Sequence, residues 1–391
     1  MRVLLTACAT AVACSALAVT GPLAATAADQ SVRTPVGGAQ LTTEPTVVAT
    51  GATPPAVQAS AYVLADIDTG NVLAAKAPHA KLRPASTLKT LTALVLLPRL
   101  NKADQVVGTD QDAGIIGSKV GVYPGLRYSV DLLFQGMFLA SGNDAVNALV
   151  SHDEGGVPDT IQRMNKKASE IGALDTHVTD PTGLDADGQY SSAYDLALFA
   201  QAGLGRPDFA KYASTKYTNF PLAKKGGSYQ VANQNKLLFN YDGALGVKTG
   251  YTTLARNTFV GAARRGGHTL VITLMNSPHG ITEDATKLLD WGFTSYSALS
   301  PVGTLVKPVV AAPPKTAEGE SSGPNTSKKA SALPPRRNRA ALVAAAVTQS
   351  VVYRIPVWAY ALPPLLLLPL FLRRPKALRA RAKAAAKARL R

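Results

Sequence analysis

Ser86-Thr87-Leu88-Lys89 sets a hydroxyl and an amine three residues apart, a spacing that places both on one face of a helix. A serine hydroxyl needs a base to become a nucleophile near neutral pH. A lysine amine serves only where burial or a neighbouring cation lowers its pKa. Ser141-Gly142-Asn143 adds a second hydroxyl able to relay a proton, and an amide that both donates to and accepts from a peptide. Lys248-Thr249-Gly250 adds a cation, a hydroxyl for an anionic ligand, and a residue without a side chain, beside which a substrate backbone has room to lie. Taken alone, Ser-x-x-Lys arises about once by chance in a chain of this length, and Lys-Thr-Gly about a tenth of a time. Each also has a plain structural explanation: a helix start, an ordinary turn, a solvated edge strand.

Other chemistries are excluded more simply. The two cysteines, Cys8 and Cys14, fall within an apolar N-terminal run, so the body of the chain has neither thiol nor disulfide. The five histidines, His79, His152, His177, His268 and His279, form no close-spaced pair, and no metal or cofactor is expected.

The elements that would position these residues follow from local pattern. Ala61–Ala65 and Asn71–Ala75 flank an Asp/Gly turn and read as a hairpin. Pro84 and Pro98 bound an apolar run that reads as a buried helix with Ser86 in its first turn. Ser129–Ala140 and Asp144–Ser151 read as helices joined at Ser141-Gly142-Asn143, with Gly142 permitting the sharp connection. Ile161–Ile171 and Ala193–Ala202 are further helices. Residues 245–249, 257–263 and 269–274 read as strands, and Thr282–Trp291 as a closing helix capped by Thr282 and stopped by Gly292. Two strands early, helices in the middle, then three strands and a helix predict an α+β fold: a five-stranded antiparallel sheet flanked by helices, plus a mainly helical lobe.

In this order, on helix, loop and strand, the three patterns reproduce a set shared by penicillin-binding proteins and class A β-lactamases. Over roughly Ala59 to Ser297 the chain resembles the low-molecular-mass D-alanyl-D-alanine carboxypeptidases. Asp68-Thr69-Gly70, Pro84-Ala85-Ser86, Ser141 to Ala145, Pro181 to Leu184, Gly246 to Thr252 and Leu289 to Phe293 all carry the likeness. The resemblance implies a β-lactamase/transpeptidase-like fold with Ser86 acylated, Lys89 as its base and Ser141 passing a proton to the leaving amine. It implies that Asn143 holds the stem peptide, that Lys248, Thr249 and Gly250 serve the terminal carboxylate and backbone, and that the N–H groups of Ser86 and Tyr251 form the oxyanion hole. Its substrate would be a peptidoglycan stem peptide ending in D-Ala-D-Ala, and β-lactams would be covalent inhibitors. Ala255-Arg256 departs from the family's usual Ala-Gly and adds bulk and charge beside the cleft.

Three other readings are weighed against this one. A class A β-lactamase needs a glutamate for deacylation, usually with Asn four residues on; neither Glu154 nor Glu170 has one. DD-endopeptidase or transpeptidase action uses the same acyl-enzyme and is not separated by the motifs. A non-catalytic wall-binding protein of this fold would be expected to have lost Ser86 or Lys89.

The ends differ in composition from the middle. Arg2, an apolar run and Ala25-Thr26-Ala27 read as a signal peptide over 1–27, and 28–58 as a flexible lead-in to a catalytic domain over 59–298. Residues 299–352 read as a Pro/Ala/Ser/Lys-rich linker. Six Lys or Arg from Lys328 to Arg354 and nine from Arg373 onward account for nearly all of the net charge of +16, so the body is close to neutral and nucleic acid is not an expected partner. The uncharged stretch 355–372 has 18 residues, about 27 Å of helix, enough to cross a hydrocarbon core despite Pro356, Pro363, Pro364 and Pro369. With the basic tail 373–391 kept in the cytoplasm, the domain before it is expected outside the membrane.

Overall fold

The computed structural model describes residues 35–222 and 226–307; the expected signal peptide, most of the expected linker, the anchor and the basic tail lie outside these residues. In chain order the strands are β1 (Val47–Ala49), β2 (Ala61–Asp66), β3 (Asn71–Lys76), β4 (Gln105–Val107), β5 (Arg127–Ser129), β6 (Tyr217–Pro221), β7 (Ser228–Ala232), β8 (Ala244–Thr252), β9 (Arg256–Arg265), β10 (His268–Ser277) and β11 (Gly303–Thr304). The helices are α1 (Lys89–Leu96), α2 (Asp110–Gly114), α3 (Val130–Leu139), α4 (Asn143–His152), α5 (Gly156–Glu170), α6 (Ala193–Leu204), α7 (Pro207–Ser214), α8 (Leu237–Asn240) and α9 (Ile281–Ser295).

The main sheet is antiparallel in the order β1-β3-β2-β10-β9-β8, with β11 also on β3. It therefore has seven strands rather than the expected five. The two extra strands, β1 and β11, are short and carry no alternating pattern; what recruits them is the unpaired backbone edge of β3. Their presence corrects two boundaries. The stretch expected as a flexible lead-in is, from residue 35, packed on the domain, with Leu41 fully buried. The domain also continues past 298, since Thr304 donates its N–H to Gly37 and Leu305 to Gly70.

Both faces of the sheet are covered, which explains why β2 is buried at all six residues and reads as a continuous apolar run. One face packs on α9 through Leu64, Leu270, Ile272, Leu288 and Leu289. The other faces the helical lobe, where Leu91, Phe134, Met137, Leu149 and Phe199 belong to one core. Helix α9 has Gly280 as its N-cap and runs past Gly292, so neither the expected cap at Thr282 nor the expected stop holds. Gly292 is a packing residue: a Cβ there would lie 2.8 Å from Leu64 and 2.9 Å from Leu270 side-chain carbons. Buried against the sheet, the helix gains more from continued packing than glycine's backbone freedom costs it.

Candidate active site

The chain enters α1 through Ala85, held at φ 48°, and a 3₁₀ turn over Ala85–Leu88. Three elements grip this turn. Thr87 Oγ1 donates to the Pro84 carbonyl, and so does Thr258 Oγ1 of β9, at 2.8 Å. Gly183 presses on it from the loop before α6: a Cβ there would sit 2.1 Å from the Ala85 oxygen. Gly250 of β8 presses from the other side, where a Cβ would lie 2.8 Å from Ser86 N and 2.9 Å from Thr87 N. The sequence suggested that Gly250 makes room for a substrate; the fold uses that room for the Ser86 backbone itself. Tyr251, the next residue, lines the same cleft as Ser86.

Lys89 is 1% exposed, and its Nζ has three neighbours: Ser86 Oγ at 2.7 Å, Asn143 Oδ1 at 2.7 Å and the Thr182 carbonyl at 2.6 Å. Burial, and then the nearby Lys248 charge, hold its pKa well below the usual lysine value, with Asp180 and Asp144 opposing. A neutral amine has two N–H donors and one lone pair. In the neutral form the Asn143 and Thr182 oxygens can accept both N–H groups, leaving the lone pair for the Ser86 hydroxyl proton.

Two carboxylates that sequence reasoning left without a role build this cage. Asp180 Oδ1 accepts the Thr182 N–H at 2.8 Å and also the Thr182 hydroxyl, fixing the turn that presents the Thr182 carbonyl. Asp144, fully buried in α4, accepts the N–H groups of Val120, Gly121 and Val122 at 2.7–2.9 Å. The segment so anchored includes the Ser118 carbonyl, which accepts the Asn143 N–H, and follows Ile116, whose carbonyl accepts from Asn143 Nδ2 at 2.8 Å. Asp144 lay inside a quoted motif, but nothing local showed that its partners are twenty-odd residues earlier.

The turn between α3 and α4 also differs from expectation. Ser141 is the residue at positive φ, 59°, whereas Gly142 has φ −58°. Gly142 is required by proximity instead, since a Cβ would lie 2.7 Å from Asp144 Oδ1 and 3.1 Å from Val120. Gln234 steadies the turn, its N–H donating to Leu139 O at 3.0 Å and its side chain to Ala140 O at 3.2 Å.

Ser86, Ser141, Thr249, Gly250 and Tyr251 line one cleft of about 610 Å³, together with Ser118, Gln234, Lys236 and residues 278–283. Lys89, Asn143 and Lys248 lie beneath its surface, each at most 2% exposed. Lys248 Nζ donates to the Thr249 carbonyl at 2.8 Å, and burial pushes its pKa down to about 7. Of the pair expected to meet a carboxylate, Thr249 thus faces the cleft and Lys248 lies behind it. Arg256, at φ 55°, opens β9 opposite Thr252 and is exposed outside the cleft lining. Among the described residues no group of three or more His, Cys, Asp or Glu is placed to hold a metal.

A cleft-lining serine hydrogen-bonded to a buried lysine, beside an edge strand bearing Lys-Thr-Gly, defines a serine acyl-transfer enzyme of the penicillin-binding class, and comparison with known proteins agrees. The peptidase S11 family, D-alanyl-D-alanine carboxypeptidase, matches residues 48–279, and the chain belongs to it. It is 41% identical over 257 residues to the D-alanyl-D-alanine carboxypeptidase DacB2 of Mycobacterium tuberculosis, covering 63% of this chain and 86% of that protein. It is 34% identical over 246 residues to DacF of Bacillus subtilis, covering 61% of this chain and 63% of that relative. Among solved structures, a D-alanyl-D-alanine carboxypeptidase from M. tuberculosis H37Rv matches at 40% identity with TM-score 0.61, covering 67% of this chain and 99% of that one. The Streptomyces K15 DD-transpeptidase matches at 29% identity with TM-score 0.59, covering 62% and 100%.

Proposed function

We propose that this protein is a serine D-alanyl-D-alanine carboxypeptidase that trims peptidoglycan stem peptides, with Ser86 as the acylated nucleophile. The observation that carries the reading is the 2.7 Å contact between Ser86 Oγ and a buried, pKa-depressed Lys89 whose other partners are both acceptors. Lys89 takes the hydroxyl proton as Ser86 Oγ attacks the penultimate D-Ala carbonyl carbon. The N–H groups of Ser86 and Tyr251 meet the oxyanion that forms. Ser141 passes a proton to the departing amine of the terminal D-Ala, the C–N bond breaks, and an ester on Ser86 remains. Water then attacks that ester and returns the hydroxyl to Ser86. Strand β8 ends the sheet, so its outer edge can pair with the extended stem peptide, with Ser141 and Thr249 in the cleft lining.

A β-lactam enters the same path and leaves a stable acyl group on Ser86. The test is to expose the full-length protein to a fluorescent penicillin, and separately to a pentapeptide ending in D-Ala-D-Ala. Label and D-alanine release should both vanish in Ser86→Ala; if both persist, the nucleophile lies elsewhere. Likeness to a transpeptidase favours a second reading, transfer of the acyl group to an amine, and adding a D-amino acid acceptor separates the two by product mass.

We propose further that 1–27 directs export and that 355–372 tethers the domain outside the membrane, with 373–391 in the cytoplasm. The uncharged 18-residue stretch and its nine following cations support this; among the described residues no helix is long and apolar enough to cross a membrane. Deleting Ile355 onward should release the protein into the medium, and retention at the membrane would place the tether elsewhere.

A further inference from the structure

A substrate that ends in a free carboxylate brings a negative charge into the cleft, and the cation expected to meet it is not on the cleft surface. Lys248 is 1% exposed, its ammonium is turned to the Thr249 carbonyl, and burial disfavours its charged form. Thr249 can hydrogen-bond a carboxylate but cannot neutralise it. Apart from the Tyr251 phenol, the ionisable side chains that do line the cleft are Lys236, His279 and Glu283.

Lys236 is exposed, yet its backbone is fixed on both sides. Two buried asparagines lock the segment: Asn233 Oδ1 accepts the Asn235 N–H at 2.9 Å, and Asn235 Oδ1 accepts the Leu237 N–H at 3.0 Å. Asn233 is itself tied to the Thr215 carbonyl at 2.9 Å, and Gln234 to the end of α3. Lys236 therefore stands on a rigid wall, two residues from the side chain that steadies the Ser141 turn. Glu283, the one acid on the lining, sits in the first turn of α9, where the helix's free N–H groups offset its charge.

Resting on the carboxypeptidase reading, we propose that Lys236 is a specificity residue that recognises the C-terminal carboxylate of the stem peptide, pairing with it while Thr249 supplies the hydrogen bond. A lysine suits the task because its long stem reaches into an open cleft and its ammonium is a compact charge that stays hydrated until substrate arrives. The pairing acts on binding and on selection against uncharged ends, not on the Ser86 chemistry.

The test compares a diacetylated L-Lys-D-Ala-D-Ala peptide with its C-terminal carboxamide, on the full-length protein. Wild type should favour the acid, and Lys236→Met should raise KM for the acid about fivefold, as expected for a solvent-exposed pair. The carboxamide should be cleaved unchanged within twofold, so the discrimination collapses, and Lys236→Arg should restore it. Equal losses on both peptides with lowered Tm would show a structural role and overturn the proposal, as would discrimination that survives Lys236→Met. A wild type that cleaves neither peptide would overturn the carboxypeptidase reading, and this proposal with it.

Discussion

Replacing Lys248 by methionine should stabilise the protein while impairing its acylation. The side chain is 1% exposed, and methionine nearly matches it in length without an ammonium. Burial lowers the Lys248 pKa from 10.5 to about 7, which at about 1.4 kcal/mol per pH unit corresponds to a cost of about 4 to 5 kcal/mol for housing the lysine at pH 7. Loss of the bond to the Thr249 carbonyl and imperfect packing of the sulfur offset part of that gain. A net increase of about 2 kcal/mol, or about 5 °C in Tm, is expected at pH 7. The sign with pH is fixed by proton counting. Between pH 7 and 10.5 the unfolded chain holds a proton on residue 248 that the folded chain has released, so wild-type stability rises through this window relative to the variant. Denaturant unfolding of both proteins from pH 6 to pH 10 measures that difference, in which other titrating groups largely cancel. A variant less stable than wild type at pH 7, with a stability difference that stays constant from pH 7 to pH 10, would refute the claim that Lys248 is held against its solvation.

Two further perturbations test the scaffold. In Asp144→Asn, one carboxylate oxygen becomes an amide nitrogen facing backbone N–H groups of residues 120–122 or 145. This should cost about 3 kcal/mol, or about 9 °C in Tm, and slow penicillin acylation by loosening the support of Asn143; a Tm within about 2 °C of wild type would remove Asp144 from that role. Gly292→Ala should destabilise by about 1–3 kcal/mol in chemical unfolding, although alanine favours helix by about 1 kcal/mol, because its Cβ meets Leu64 and Leu270. A stabilised variant would show that the contact relaxes.

The ionisable groups explain where reading along the chain stops. Ser86 and Lys89 are joined by three residues of helix, so their encounter is local and their spacing alone announces it. The hairpin, the apolar run before Pro98 and the three late strands are local too, because their side-chain periods are written in consecutive residues. What makes Lys89 a base is not local. It depends on the Thr182 carbonyl, the Asn143 amide and the charge of Lys248, which come from three other parts of the chain. Likewise β1 and β11 join the sheet because β3 offers an open edge, which no pattern in their own few residues reveals. Glycine shows the same divide: the sequence marks where a side chain is missing at 142, 250 and 292, but only the fold shows what fills the space. The sequence by itself determined the reacting groups and their order, since covalent chemistry requires particular atoms. The tertiary structure decided their protonation, their reach and the charge that faces the substrate, because desolvation and Coulomb interactions depend on distance in space rather than along the chain.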